Sequence, residues 1–143
     1  MLLLPRRQTL ASIVTSLLIE KSSAVAVAST TSTVKTTVVG VGVLGTDLCR
    51  QLLADPATQV IGVTATTKNH EKIRETVGCT DDSRFRLTTS EDTSEEVEKT
   101  ANVVFCAPPS GFENYPEAVQ TATEKYWLGP DTGKFVFTSS GAV

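Results

Sequence analysis

Val38-Val39-Gly40-Val41-Gly42-Val43-Leu44-Gly45 ends an apolar, β-branched run in Gly-x-Gly-x-x-Gly, and Thr46-Asp47-Leu48-Cys49-Arg50-Gln51-Leu52-Leu53 continues at once in a helical pattern. In a strand–turn–helix of this kind the first glycine permits the tight bend. The second lets a backbone approach a pyrophosphate, and the third lets helix and strand pack closely, with the helix N-terminus facing the phosphates. Nine glycines in 143 residues can meet that spacing by chance. The legible strand before it and helix after it are the context the motif requires. Gly40, Gly42, Val43, Leu44 and Gly45 are therefore candidate cofactor-binding residues, a structural turn being the alternative.

Outward from this turn the chain alternates strand and helix patterns. Thr36–Val41 reads as the first strand, and Leu44, Leu48 and Leu52 make an i, i+4 stripe on the first helix, which Asp55-Pro56 closes. Gln59–Thr64 is a second strand. Asn69 can cap a short helix carrying Ile73 and Val77, with Gly78 as its stop. Arg84–Thr88 is a polar third strand, short or near an edge. Thr93-Ser94-Glu95-Glu96 reads as a capping box for a helix burying Val97 and Ala101. Asn102–Ala107 is near-continuously apolar, as in a parallel strand covered on both faces. After Pro108-Pro109-Ser110-Gly111, Pro116 suits the first turn of a helix whose Ala118, Val119, Ala122 and Tyr126 share a face. Tyr126-Trp127 is expected to pack on the sheet, and Lys134–Thr138 is a fifth strand. The predicted architecture is α/β, a Rossmann-type doubly wound parallel sheet of about five strands.

Composition narrows the function classes. The formal net charge is −3, unevenly spread: residues 1–46 hold Arg6, Arg7, Lys21 and Lys35 against Glu20, and the remainder holds nine basic and fifteen acidic side chains. An acidic body without a basic stripe argues against nucleic acid as a partner. Cys49, Cys79 and Cys106 are too widely spaced for a zinc site or a disulfide framework, and Cys49 and Cys106 read as small buried side chains. His70, the single histidine, reads as a solvated helix start, and no metal site is expected.

Residues 1–35 differ from the rest. Arg6-Arg7 precede an apolar run, Leu10 to Ile19, shorter than the roughly 20 residues that span a bilayer. Ser and Thr crowd the region, and Ala24-Val25-Ala26-Val27-Ala28-Ser29 offers small residues for cleavage. It reads as a targeting segment preceding a dinucleotide-binding domain over 36–143, with no stable membrane span. The composition suits import into a plastid or mitochondrion, the reading favoured by three thiols and a cofactor-dependent fold. The Arg-Arg pair with Ala-x-Ala suits an export signal instead.

Ligands of such sheets bind at the carboxyl ends of the strands. An NAD site places Asp or Glu about 20 residues past the glycines, whereas this chain has Thr64-Ala65-Thr66-Thr67-Lys68-Asn69-His70. Without a carboxylate to repel it, a 2′-phosphate could accept from Thr66, Thr67 and Lys68, so NADP is expected over NAD. An ordinary polar loop is the alternative. Ala107, Pro108 and Pro109 would wall the adenosine or nicotinamide ribose, or merely end a strand. Thr138 and Ser139, ending strand five, complete the candidate cofactor set.

The glycine turn together with Phe135-Val136-Phe137-Thr138-Ser139-Ser140-Gly141-Ala142-Val143 resembles the extended and atypical short-chain dehydrogenase/reductases, the NAD-dependent epimerase/dehydratase family, from about Thr36 to Val143. The resemblance implies a Ser/Thr-Ser cluster after an apolar strand, with Ser140 at the place of the catalytic serine that holds the substrate oxygen. It also implies a Tyr-x-x-x-Lys motif, whose tyrosine is the general base. That motif does not occur in these residues, and Tyr115 and Tyr126 both precede the fifth strand. The chain therefore reads as the cofactor-binding half of an oxidoreductase or epimerase/dehydratase, inactive as a truncated product, with an unidentified small-molecule substrate. The alternatives are a non-catalytic dinucleotide-binding or redox-sensing module, and a semialdehyde- or imine-type reductase, to which Val-Phe-Cys-Ala-Pro-Pro-Ser-Gly has loose parallels.

Overall fold

A computed structural model describes residues 32–92 and 97–138. The chain divides into two units, Met1–Ser32 and Thr33–Val143, and every element among the described residues belongs to the second. The segment 1–35 that reads as a targeting signal lies, up to residue 31, outside the described residues.

Five strands form one sheet: β1 (Val34–Val39), β2 (Thr58–Thr64), β3 (Phe85–Thr89), β4 (Asn102–Phe105) and β5 (Phe135–Phe137). All pairs are parallel and the order is β3-β2-β1-β4-β5. The chain builds outward from β1 to one edge, then crosses back to build the other half. The reversal falls between β1 and β4, where a doubly wound sheet opens a crevice at its carboxyl ends. Register sets Val39 beside both Val63 and Phe105, so β1 and β4 finish level and β2 runs one residue further, to Thr64.

Side-chain alternation along β1 supplies two cores. Val38 points to a face shared with Val60 and Phe85, covered by Cys49 and Leu53 of α1 (Val43–Leu53) and Ile73 and Val77 of α2 (His70–Val77). Val39 points to the opposite face with Val63, Val103 and Phe105, covered by Ala122 and Tyr126 of α3 (Tyr115–Tyr126). Helices on both faces make the sheet doubly wound, as expected. Burying a Val or Phe completely is worth roughly 1.5–3 kcal/mol, so these rows are the main source of stability.

Local signals explain most boundaries. Asn114 accepts a hydrogen bond from the Glu117 N–H and caps α3, with Pro116 in its first turn. Gly78, at φ +73°, ends α2 in the left-handed conformation. β1 begins at Val34, two residues before the expected domain start, and ends at Val39 because Gly40 turns the chain at φ +87°.

Other expectations are corrected. The buried stripe of α1 is Gly45, Cys49 and Leu53; Leu44 is exposed and Leu48 and Leu52 are only partly covered. The requirement that Gly45 face the strand rotates the helix by one residue from its leucine stripe. Thr93–Glu96 lie outside the described residues, but Val97–Ala101 are not helical. Thr100 is held as a bridge: its N–H donates to the Tyr126 carbonyl, its carbonyl accepts from Leu128, and its buried hydroxyl meets that of Thr37 at 2.9 Å. Those long-range bonds override the local helical pattern.

Candidate functional site

The glycine turn owes its shape to three different steric requirements. A Cβ on Gly40 would sit 2.4 Å from the Ala107 nitrogen, so this position must be bare for the turn to pack on the end of β4. A Cβ on Gly45 would sit 2.5 Å from the Gly40 carbonyl oxygen, which fixes how closely α1 approaches β1. Gly42 differs: among the described residues, no atom beyond its chain neighbours lies within 4 Å of a Cβ built there. Its backbone opens onto the crevice, and α1 starts beside it with no side-chain cap and no acidic residue in its first turn. The Gly42 carbonyl is taken by the Thr46 N–H and hydroxyl. Among the described residues no acceptor reaches the N–H groups of Val43, Leu44 or Gly45, the orphan donors of a helix start. Val43 is 95% exposed and Leu44 57%. Donors, helix dipole and bare space together form an anion cradle.

A cleft of about 690 Å³ runs from this turn along the carboxyl ends of the sheet. Its floor is Val39, Val63 and Phe105; its glycine side is Gly40, Val41 and Gly42; its β2 side is Thr64, Ala65, Thr66 and Asn69. Ala107 and Pro108 line it, whereas Pro109 does not. The opposite wall is α3, contributing Ala118, Thr121, Ala122 and Tyr126, with Glu113, Asn114 and Glu117 at its rim. Small residues on α3 leave the space, and a largely apolar interior with few polar groups is the ordinary character of a ligand pocket.

The turn after β2 is more organised than a polar loop requires. Thr67–Asn69 form a single 3₁₀ turn, and Asn69 makes no side-chain cap to α2. Thr66 lines the cleft, whereas Thr67 and Lys68 lie exposed outside its lining. His70 is not a solvated helix start, contrary to expectation. It is half-buried, with Nε2 2.6 Å from the Thr64 hydroxyl, and burial followed by the Arg74 charge holds its pKa below the ordinary value. No carboxylate lines the β2 side among the described residues; those of the cleft, Glu113 and Glu117, stand at the α3 rim.

The loop after β4 is anchored by aromatic contacts. Phe105 packs on Phe112 and Tyr115 with ring centroids 6.0 and 5.7 Å apart, the second pair edge-on. The Tyr115 hydroxyl donates to the Thr138 carbonyl, and the Thr138 N–H donates to that of Phe105, which fixes the end of β5 against the same loop. Thr138 is thus near the site but does not line the cleft. Ser139 and Ser140 lie outside the described residues.

Titrating groups add little reactivity. Burial raises the Cys49 thiol to about 12 and raises Cys106 also, which disfavours the thiolate in both; Cys49 is buried as expected, whereas Cys106 is only partly buried. Tyr126 lines the cleft, but burial raises its pKa, the wrong direction for a general base. Lys125 reaches the cleft from the same helix and donates to the Ser90 carbonyl at 2.7 Å. Among the described residues no group of three or more His, Cys, Asp or Glu is placed to hold a metal, and no helix is long and apolar enough to cross a membrane.

Of the residues that sequence reasoning nominated, Gly40, Gly42, Thr66, Ala107 and Pro108 line this cleft, whereas Val43, Leu44 and Gly45 lie outside its lining, on the first turn of α1. That reasoning missed the α3 wall, whose signal was the Ala118-Ala122 face read as core alone, and it missed Phe112, for which no local signal exists. No protein-family model, curated protein or solved structure matches this chain.

Proposed function

We propose that the domain binds a dinucleotide across the cleft, NADP in preference to NAD, as the cofactor-binding part of an oxidoreductase or epimerase/dehydratase of the short-chain type. The observation that carries the reading is the cradle at Gly42: bare space against the backbone, beside three orphan N–H donors at the start of an 11-residue helix. A pyrophosphate is the group that such donors and such space accept. The remaining cleft is long and apolar enough to take the adenosine portion between the turn after β2 and α3.

The preference for NADP rests on charge. The β2 side offers Thr66 and Asn69 and, among the described residues, no carboxylate to repel a 2′-phosphate. Intrinsic fluorescence titration tests both points, with Trp127 as reporter. Tighter binding of NADPH than of NADH is expected. NADH binding more tightly would overturn the preference, and failure of both to bind would overturn the reading altogether.

A second reading, a dinucleotide-binding module without turnover of its own, is favoured by Tyr126. This is the tyrosine lining the cleft, and burial keeps its hydroxyl protonated. Hydride transfer from bound NADPH to short-chain aldehydes and ketones, scored by loss of nicotinamide absorbance, would separate the two.

A further inference from the structure

The hydroxyl of Thr64 stands at the carboxyl end of β2 with three polar neighbours. The Thr66 carbonyl is 3.0 Å away, the Thr88 carbonyl 3.2 Å and His70 Nε2 2.6 Å. A hydroxyl has one hydrogen to donate. Both carbonyls can only accept, so that hydrogen belongs to them, shared or alternating. If it pointed at the histidine, the oxygen lone pairs would face two carbonyl oxygens with nothing between. The short contact to His70 therefore requires that Nε2 carry the hydrogen and donate to Thr64.

The consequence is local order. Thr64 is 9% exposed and joins the end of β2 to that of β3, since its own carbonyl also accepts from the Ser90 N–H at 2.9 Å. Thr64, Ala65 and Thr66 are the stretch that lines the β2 side of the cleft. We propose that His70 is a positioning residue for the cleft: as the Nε2–H tautomer it donates to Thr64 Oγ1 and thereby fixes the Thr64–Thr66 turn against which the adenosine ribose of the dinucleotide sits. This rests on the dinucleotide reading for the identity of the ligand and on the hydrogen-bond geometry for the role of the side chain.

His70 is the single histidine of the chain, which makes the test direct. In wild-type protein labelled with ¹⁵N-histidine, long-range ¹H–¹⁵N spectra at neutral pH should show one neutral ring with Nε2 protonated. A protonated Nδ1, or the averaged signal of a solvated ring, overturns the proposal. In the variants, the Gln amide nitrogen reaches the Nε2 position, whereas Asn is too short and Leu has no donor. H70Q should bind NADPH within about twofold of wild type, while H70N and H70L should bind about five- to tenfold more weakly, the loss expected for one hydrogen bond. A general packing role would instead let H70L bind like H70Q, and that result overturns the proposal, as does equal loss in all three. Failure of wild-type protein to bind NADPH is the failure of the dinucleotide reading; wild-type binding that H70L leaves unchanged is the failure of the role of His70 alone. The ring spectrum decides the tautomer even if a variant does not fold.

Discussion

The two ends of the cleft are built on opposite principles. At the glycine turn the backbone does everything, and the sequence specifies it by leaving side chains out. At the turn after β2 the backbone is held by side chains: the one Thr64 hydroxyl hydrogen is shared between the Thr66 and Thr88 carbonyls, and His70 Nε2 meets the same oxygen. The first device is local, since its requirement is written in three residues within six positions. The second joins residues 24 apart at Thr64 and Thr88, and only the parallel pairing of β2 with β3 brings them together.

That contrast can be broken most forcefully at Gly40. Alanine there places a Cβ inside the Ala107 backbone at φ +87°, so G40A should lose roughly 2–4 kcal/mol of unfolding free energy from overpacking and left-handed strain. Urea denaturation measures it. G45A, clashing at 2.5 Å with the Gly40 carbonyl but without the unfavourable φ, should lose less, roughly 1–3 kcal/mol.

Gly42 sharpens the comparison, because its role in folding and its role in binding come apart. Space is open around it, and its φ of −90° is on the ordinary negative side, unlike that of Gly40. G42A should therefore change unfolding free energy by less than about 1 kcal/mol, chiefly through the poorer N-cap. In the same protein NADPH affinity should fall about tenfold or more, because the methyl group occupies the ligand's place. A destabilised G42A with unchanged affinity would reverse the distinction between the glycines.

The smallest effect belongs to the other end. The folded-state pKa of His70 lies below its ordinary 6.5, with desolvation first and the Arg74 charge second. Below pH 6.5 the unfolded chain therefore takes up the proton more readily than the folded one, and stability falls with pH through that window, as far as the lower folded pKa. The thermal midpoint should decline slightly between pH 7 and pH 5, and H70Q should lack that component. An identical pH profile for H70Q and the wild type would show that His70 contributes nothing to it.

Legibility in the sequence followed the range of the forces. β1, α1 and the glycine spacing were plain because alternation, helical period and bare backbone act within a few residues. The edge position of β3 followed from its polarity, and the covered β4 from its continuous apolar run. The leucine stripe of α1 misled because hydrophobicity alone does not rotate a helix; the close contact at Gly45 does. A capping pattern before Val97 misled because Thr100 is claimed by Thr37 and Tyr126. Lys68 illustrates the limit at the site: charge and spacing nominated it, but the 3₁₀ turn leaves it outside the cleft lining.

The sequence by itself determined an α/β chain with a parallel sheet and a glycine turn between its first strand and helix, because periodicity and steric exclusion are local properties. Only the tertiary structure decided which glycine of the turn faces open space, that α3 supplies the far wall, and that the single histidine meets the Thr64 hydroxyl at the end of β2. Those facts depend on contacts across strands, where packing and hydrogen-bond satisfaction outweigh local preference.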